Sequence, residues 1–226
     1  MLKGKDVCRL VEAEASGSDH GDVPFHPCVI TDCGELGPEE DDGVVVDPKD
    51  PYPMFPVDYD QPLLVDDKVR VSGEIRALGN DKFKAQDFSG AALIYSKALR
   101  YLEEEYPSEE EEKKLAAARA PVLSNRAACS LKIVGDKGKV DFRSAIIDLK
   151  EVLEIEPENA KAWFRLGQAY SAAEDVDEEY AALKKAAELA PEDKTVASWL
   201  KRCEVKLSNI KKKTAAIFKK AFANAK

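Results

Sequence analysis

The chain has 226 residues and a formal net charge of −9, and 34% of its residues are charged. This charged fraction exceeds the ~25% of average soluble domains and favours solvated helices over a β-sandwich or a barrel. The longest apolar runs are far shorter than the ~20 residues that span a bilayer, so we expect no stable membrane insertion. No apolar stretch follows the first five residues, which predicts no secretory signal. The five cysteines are widely spaced, and we expect reduced thiols and a cytoplasmic location.

The charge is distributed unevenly along the chain. Residues 1–66 hold 4 basic and 16 acidic residues, whereas residues 194–226 hold 10 basic residues and a single acidic one. Binding to a nucleic-acid backbone needs a dominant basic surface on the protein. We therefore expect no general nucleic-acid binding, and we expect any anion site to be local.

Residues 37–65 are predicted to form an acidic linker. Frequent proline and glycine residues prevent a helix there, and the acidic run at 39–42 repels itself. The part from 43 to 57 is predicted to be extended.

From Asp66 onward, apolar residues recur at spacings of three and four, which predicts helices. The predicted helical stretches are 67–85, 88–104, 110–133, 142–155, 160–173, 177–190 and 193–224. The acidic residues on both sides of Pro107 are predicted to be solvated helix ends rather than a binding site.

The helices are organised as a repeat. Residues 160–193 form a 34-residue unit with Trp163, Leu166, Gly167, Tyr170, Ala186 and Pro191 at the offsets of the tetratricopeptide (TPR) pattern, with Glu179 where a small residue is usual. Two earlier units align with it, and the second has a turn about nine residues longer, at Val134–Val140. The sequence thus predicts an all-α fold over 66–192, with three TPRs made of six antiparallel helices. A long C-terminal helix over 193–226 follows them.

The first helices of stacked repeats line a concave face. With the repeats aligned, five donor side chains occupy equivalent inner positions: Arg76, Asn80, Asn125, Lys161 and Arg165. Charged and amide donors of this kind bind carboxylates through short hydrogen bonds. The predicted ligand is a free C-terminal carboxylate beside an acidic side chain. Lys132, two turns after Asn125, is predicted as a flanking contact.

No catalytic, metal or cofactor site is predicted. Both histidines precede the repeats, at His20 and His26, and no nucleophile–base arrangement or phosphate-binding loop is visible. Cys28 and Cys33 lie close to these histidines, but the spacing lacks the paired ligands of common zinc sites.

Several segments resemble one family. The string from Gly79 to Lys84, with Asp87-Phe88 and the segment Tyr95–Leu102, resembles the first repeat of the TPR-containing, forty-kilodalton cyclophilin co-chaperones. The resemblance implies a dicarboxylate clamp for the Glu-Glu-Val-Asp C-terminus of the ninety-kilodalton heat-shock chaperone, built from Lys, Asn, Asn, Lys and Arg. This chain matches at Asn80, Asn125, Lys161 and Arg165, and it has an arginine at position 76.

Residues 1–36 resemble the last helix and closing strand of a cyclophilin domain. The resemblance implies that the chain carries a C-terminal remnant of that β-barrel, without the residues that catalyse prolyl isomerisation. The preferred hypothesis is an inactive adaptor that assists protein folding by binding a chaperone. The alternative is a peptidyl-prolyl cis-trans isomerase by family membership, with its catalytic core truncated in this chain.

Three hypotheses compete for the basic segment 193–226. It caps the repeat array, it binds calmodulin or an anionic membrane surface, or it assists chaperone docking beyond the clamp. Capping is preferred for residues 193–207, and Lys211–Lys226 is predicted to project as a free basic helix.

Overall fold

A computed structural model describes residues 29, 49–59, 62–134 and 140–223, without the side chains of Asp58 and of residues 216–223. The chain divides into two units, Met1–Pro62 and Leu63–Lys226. In the first unit a short 3-10 helix covers Pro56–Asp58 and overlaps the end of the segment 43–57, which is predicted to be extended. The predicted cyclophilin remnant, Val29 aside, and most of the acidic linker lie outside the described residues.

The second unit is a stack of helical hairpins. Its helices are α1 (Val65–Lys84), α2 (Phe88–Arg100), α3 (Glu109–Ser130), α4 (Phe142–Ile155), α5 (Ala160–Ala172), α6 (Val176–Leu189) and α7 (Lys194–Ala223). Each helix packs against the next, and α1 also contacts α3, which contacts α5. Among the described residues there is one isolated β-bridge, between Val134 and Val140, and no strand. The all-α prediction is confirmed for this part of the chain.

Helix α2 ends four residues earlier than predicted. Tyr101 and Leu102 leave the helix and are fully buried, so the chain turns into the core at this point. The Lys68 ammonium group then donates to the carbonyl oxygen of Glu103 at 3.0 Å and to the carboxylate of Glu104 at 2.8 Å. Helix α2 thus ends before the acidic run, and the two residues that follow it belong to the core.

The second helix of each hairpin begins with the same cap. Asp87, Asp141 and Asp175 each accept a hydrogen bond from the backbone N–H three residues on, at 2.9, 3.2 and 3.3 Å. An N-cap acceptor of this kind satisfies a backbone donor that the helix leaves unpaired. Before two of these caps, Gln86 and Glu174 have φ values of 63° and 61°, which end the preceding helix in a left-handed turn.

Two glycines let the helices of a hairpin approach closely. A Cβ atom at Gly79 would lie 2.6 Å from Cε1 of Tyr95, and one at Gly167 would lie 2.8 Å from Cδ2 of Leu183. Neither separation is possible for a real side chain without movement of its neighbour. Gly167 therefore allows close helix packing in the third hairpin, and Gly79 does so in the first.

The core runs continuously through the second and third hairpins. One cluster of buried side chains joins α3, α4, α5 and α6, with Leu123, Leu149 and Leu166 among its members. Trp163 packs against this cluster and donates its indole N–H to the carbonyl oxygen of Pro157 at 2.8 Å. The second and third repeats therefore share one core, as stacked repeats do.

Helix α7 covers the end of the stack. Val196 and Cys203 are buried, and the Lys206 ammonium group donates to both carboxylate oxygens of Glu179 on α6, at 3.0 and 2.9 Å. Glu179 stands at a repeat position where a small residue is usual. It is 1% exposed, and Lys206 neutralises its charge. The first part of α7 thus packs against the third hairpin, where capping is predicted, and residues 208–215 are exposed. None of the described helices is long and apolar enough to cross a membrane.

Candidate functional site

Two asparagines predicted to lie in the groove are in direct contact. The Asn125 amide on α3 donates to Oδ1 of Asn80 on α1 at 3.0 Å. The hydroxyl of Tyr95, on α2, donates to the same oxygen at 2.8 Å. Three helices thus meet at one amide oxygen.

This arrangement determines which way the Asn80 side chain faces. Both neighbours donate to its oxygen, so its two N–H donors point elsewhere, and no described residue accepts a hydrogen bond from them. An amide held by its oxygen presents its donors at no further cost in side-chain entropy. Asn80 is therefore preorganised to donate to an anion.

Arg165 brings a positive charge to the same place from α5. Its Nη1 donates to the carbonyl oxygen of Ser124 at 2.7 Å and to the Ser124 hydroxyl at 2.6 Å, which ties α5 to α3 beside Asn125. Burial lowers the pKa of the Arg165 guanidinium below its ordinary value, but arginine remains charged at neutral pH. The other guanidinium donors of Arg165 have no acceptor among the described residues.

A small pocket opens between these side chains. Its volume is about 230 Å³, and it is lined by Asn80, Phe83, Lys84, Tyr95, Asn125, Ala128 and Arg165. The donors lie beside the apolar faces of Phe83 and Ala128. A pocket with this lining suits a carboxylate attached to a short aliphatic group.

The other predicted site residues surround this cluster. Arg76 is half-buried one helical turn before Asn80, and its charge acts on Tyr95 together with that of Arg165. Lys161 is exposed one turn before Arg165, and Lys132 is exposed in the turn after α3. The structure thus brings three predicted residues together: Asn125 contacts Asn80, and Arg165 contacts Ser124, the residue before Asn125. Arg76 lies one helical turn from Asn80. The structure shows no contact between this cluster and Lys161 or Lys132.

Two residues that hold the donor side chains of the site were not among the predicted site residues. Tyr95 holds the Asn80 amide, and Ser124 holds the Arg165 guanidinium. Both lie at repeat positions next to a recognised residue, since Tyr95 faces Gly79 and Ser124 precedes Asn125. The repeat alignment could have indicated that Tyr95 and Ser124 lie near the site. It could not have indicated which side chains they bond to.

The burial of Tyr95 leads to a titration prediction. Burial raises the pKa of Tyr95 to about 12, although the charges of Arg76 and Arg165 oppose the rise. In the unfolded chain the pKa of this tyrosine is near 10.0. The neutral hydroxyl therefore contributes stability that is full below about pH 10 and is lost as the pH rises toward 12.

The test is to titrate the parent chain and Tyr95→Phe and to follow tyrosinate absorbance in both. The absorbance of the parent minus that of the variant reports Tyr95 alone, and we expect this difference to reach its midpoint near pH 12. Circular dichroism at each pH would verify that the helices persist. A difference midpoint near 10 in the folded protein would contradict the buried, hydrogen-bonded environment of Tyr95.

Comparison with known families gives the nature of this unit. Residues 140–203 match the family model described as tetratricopeptide repeat. This part of the helical unit is therefore similar to tetratricopeptide repeats. The match covers the end of the second repeat, the whole third repeat and the first part of α7.

Solved TPR domains have the same fold. The C-terminal TPR-containing domain of a Plasmodium falciparum protein described as FK506-binding is 28% identical, with a TM-score of 0.59, over 69% of this chain and 98% of that one. The Saccharomyces cerevisiae Hsp90 co-chaperone Cns1 is 24% identical, with a TM-score of 0.54, over 68% of this chain and 45% of that one. The C. elegans myosin chaperone UNC-45, in complex with an Hsp90 peptide, is 31% identical, with a TM-score of 0.51, over 61% of this chain and 14% of that one. The chain corresponds to one part of each of the latter two proteins.

No metal centre is present in the part of the chain that the structure describes. Those residues contain no group of three or more histidine, cysteine or acidic side chains that could hold an ion. Cys129 is fully buried near Tyr95 and Arg165, and burial raises the pKa of its thiol to about 11. A thiol with so high a pKa is almost entirely protonated at neutral pH and is a poor nucleophile there.

Proposed function

We propose that the TPR domain is a co-chaperone adaptor that binds the C-terminal Glu-Glu-Val-Asp peptide of a heat-shock chaperone. The observation that carries the proposal is the convergence of Asn80, Asn125 and Arg165, from three successive first helices, on one pocket. The function is binding and positioning, and no catalysis is proposed.

The chemistry of the groove suits two neighbouring carboxylates. The terminal carboxylate would accept hydrogen bonds from the amide donors of Asn80 and Asn125 and face the charge of Arg76. The acidic side chain would pair with Lys161 and the remaining donors of Arg165. Charge-assisted hydrogen bonds from several donors are the strong kind, and a half-buried site strengthens them further.

The comparisons support this class of ligand. UNC-45, of which a 14% share is matched at 31% identity, was solved in complex with an Hsp90 peptide. This similarity supports a chaperone peptide as the class of ligand.

The test is calorimetry with Met-Glu-Glu-Val-Asp and with the same peptide amidated at its C-terminus. We expect the free acid to bind at least tenfold more tightly, about 1.4 kcal/mol, because amidation removes the charge that the amide donors and Arg76 face. Equal affinity for the two peptides would contradict the clamp.

The Asn125→Ala variant is expected to bind the free-acid peptide about 1–3 kcal/mol more weakly, which is the scale of a lost hydrogen bond to a charged group. The loss has two parts, since Asn125 donates to the ligand and also holds Asn80. Asn209→Ala, which removes an exposed asparagine on α7, is the matched control and should bind as the parent chain does. Unchanged affinity of Asn125→Ala would remove this residue from the site.

Other hypotheses from the sequence stay predictions. The isomerase alternative concerns residues 1–36, which apart from Val29 lie outside the described residues. The cytoplasmic location, the cyclophilin resemblance and calmodulin binding by the basic segment are likewise untested.

A further inference from the structure

Helix α7 occupies the place of the first helix of a fourth hairpin. Its N-cap Asp193 lies 34 residues after Asn159, the N-cap of α5, and both side chains accept from the backbone N–H three residues on. The buried positions repeat with the same offset, since Ala162 corresponds to Val196 and Ala169 corresponds to Cys203. A helix in this phase turns the same face toward the concave groove as α1, α3 and α5.

The offset places a cation at a ligand-facing position. Arg202 corresponds to Gln168 on α5 and, through the repeat alignment, to Asn80 and Asn125. Arg202 is exposed, and no described carboxylate forms an ion pair with it. The acidic residue of α7 nearest to Arg202 is Glu204, which lies about 200° away around the helix, on the opposite face.

Aromatic side chains connect this position to α5. Trp199, at the position equivalent to Arg165, meets Phe164 of α5 edge to face with ring centroids 5.8 Å apart. The Arg202 guanidinium carbon lies 4.8 Å from the centroid of the Trp199 ring. Stacking on an aromatic face restrains the guanidinium while leaving its edge donors exposed. A shallow pocket of about 410 Å³ beside it is lined by Ser198, Lys201, Arg202, Val205 and Lys206.

We propose that α7 is a fourth wall of the binding groove and that Arg202 binds an acidic side chain of the ligand upstream of the two carboxylates held by the clamp. The proposal rests on the proposed function, because the clamp sets where the peptide ends. Neighbouring helices lie about 10 Å apart, and an extended peptide rises about 3.3 Å per residue. The Arg202 subsite therefore reaches roughly three residues further along the peptide than Lys161 and Arg165.

The occupant is an acidic segment because the subsite carries two cations, Arg202 and Lys201, that no described carboxylate neutralises. Lys201 is exposed next to Arg202, and neither has an ion-pair partner among the described residues, whereas Lys206 is neutralised by Glu179. The groove thus extends its positive charge from α5 to α7. A neutral or basic segment upstream of the same terminal residues would gain nothing there.

The experiment compares three peptides by calorimetry at low ionic strength. The short peptide is Glu-Val-Asp, the neutral long peptide is Met-Gln-Glu-Val-Asp, and the acidic long peptide is Met-Glu-Glu-Val-Asp, which has a glutamate three residues upstream of the terminal aspartate; all three are acetylated at the N-terminus. We expect the acidic long peptide to bind about three- to tenfold more tightly than the neutral long peptide. The difference should shrink at high salt, because Arg202 is exposed to solvent.

Arg202→Gln should reduce that difference to less than about twofold while leaving the affinity for the short peptide unchanged. Lys184→Gln, which removes one exposed positive charge from α6, is the matched control and should keep the full difference. Binding of the short peptide with no preference between the long ones, or a preference that persists in Arg202→Gln, would overturn the Arg202 subsite alone. Failure of all three peptides to bind would overturn the proposed function and this subsite together.

Discussion

Replacing Arg126 with alanine is expected to lower the free energy of unfolding by about 3 kcal/mol. Arg126, on α3, donates through Nε and Nη2 to the two oxygens of Asp148 on α4, at 2.9 and 2.7 Å. Its Nη1 donates to the hydroxyl of Ser96 on α2 at 3.2 Å. One guanidinium thus connects the first hairpin to the second.

The cost arises from the partner that is left behind. The side chain of Asp148 is 3% exposed, so the alanine variant leaves a buried carboxylate without its cation. Breaking such a pair costs about 3–5 kcal/mol, and the lower end applies because Arg126 is partly exposed and water can enter. The hydrogen bond to Asp148 also raises the pKa of Arg126, so the charge persists at all ordinary pH values.

Urea unfolding at neutral pH measures the loss, with Arg119→Ala as the matched control. Arg119 lies on the same helix but forms only longer ion pairs, at 3.5 and 3.7 Å, for which we expect about 1 kcal/mol or less. Arg126→Lys should fall between the two, because lysine keeps the charge and loses the bidentate geometry. A loss in Arg126→Ala no greater than in Arg119→Ala would contradict the role of the Arg126–Asp148 pair.

The second large effect is expected at the cap. Lys206→Ala should destabilise the packing of α7 by about 2–3 kcal/mol, because it leaves the Glu179 carboxylate, 2% exposed, without its cation. Lys206 also donates to the Ser171 hydroxyl at 3.1 Å, so the variant removes a contact with α5 as well as with α6. The partial exposure of Lys206 again admits water and moderates the cost.

The thiol of Cys203 reports whether α7 has separated from α6. Cys203 is fully buried, and burial raises the pKa of its thiol, so it should react slowly with a maleimide in the parent chain. In Lys206→Ala we expect Cys203 to be labelled at least tenfold faster, with the labelled site identified by mass spectrometry. A tenfold increase corresponds to a decrease of about 1.4 kcal/mol in the free energy needed to separate α7 from α6. Lys201→Ala, at an exposed position without an ion pair, is the control and should label as the parent does.

A double variant separates the charge from the packing. Glu179→Ala removes the buried carboxylate and restores the small residue that is usual at this repeat position. When Glu179→Ala is combined with Lys206→Ala, we expect more than half of the stability lost in Lys206→Ala to be recovered. The effects of substitutions at two residues in contact do not add. If the double variant is as unstable as the sum of the two single variants, the pair does not act as a unit.

The candidate site shows how far repeat alignment reaches. Alignment placed donor side chains on equivalent faces of three helices, and Asn80, Asn125 and Arg165 do line one pocket. It missed Tyr95 and Ser124, because a repeat position indicates a face and not a bonding partner. Their partners lie 15 and 41 residues away in the chain, on other helices.

The sequence by itself determined the local structure of this protein. Apolar spacing, aspartate caps such as Asp87 and small residues such as Gly79 act within one helix or one hairpin, so they are visible in a short stretch of chain. Only the tertiary structure decided which charges pair and which donors stay open. Glu179 became a buried partner of Lys206, and the Asn80 amide took one orientation, because stacking brought distant helices together. Those choices depend on distances across the stack, and no local pattern encodes them.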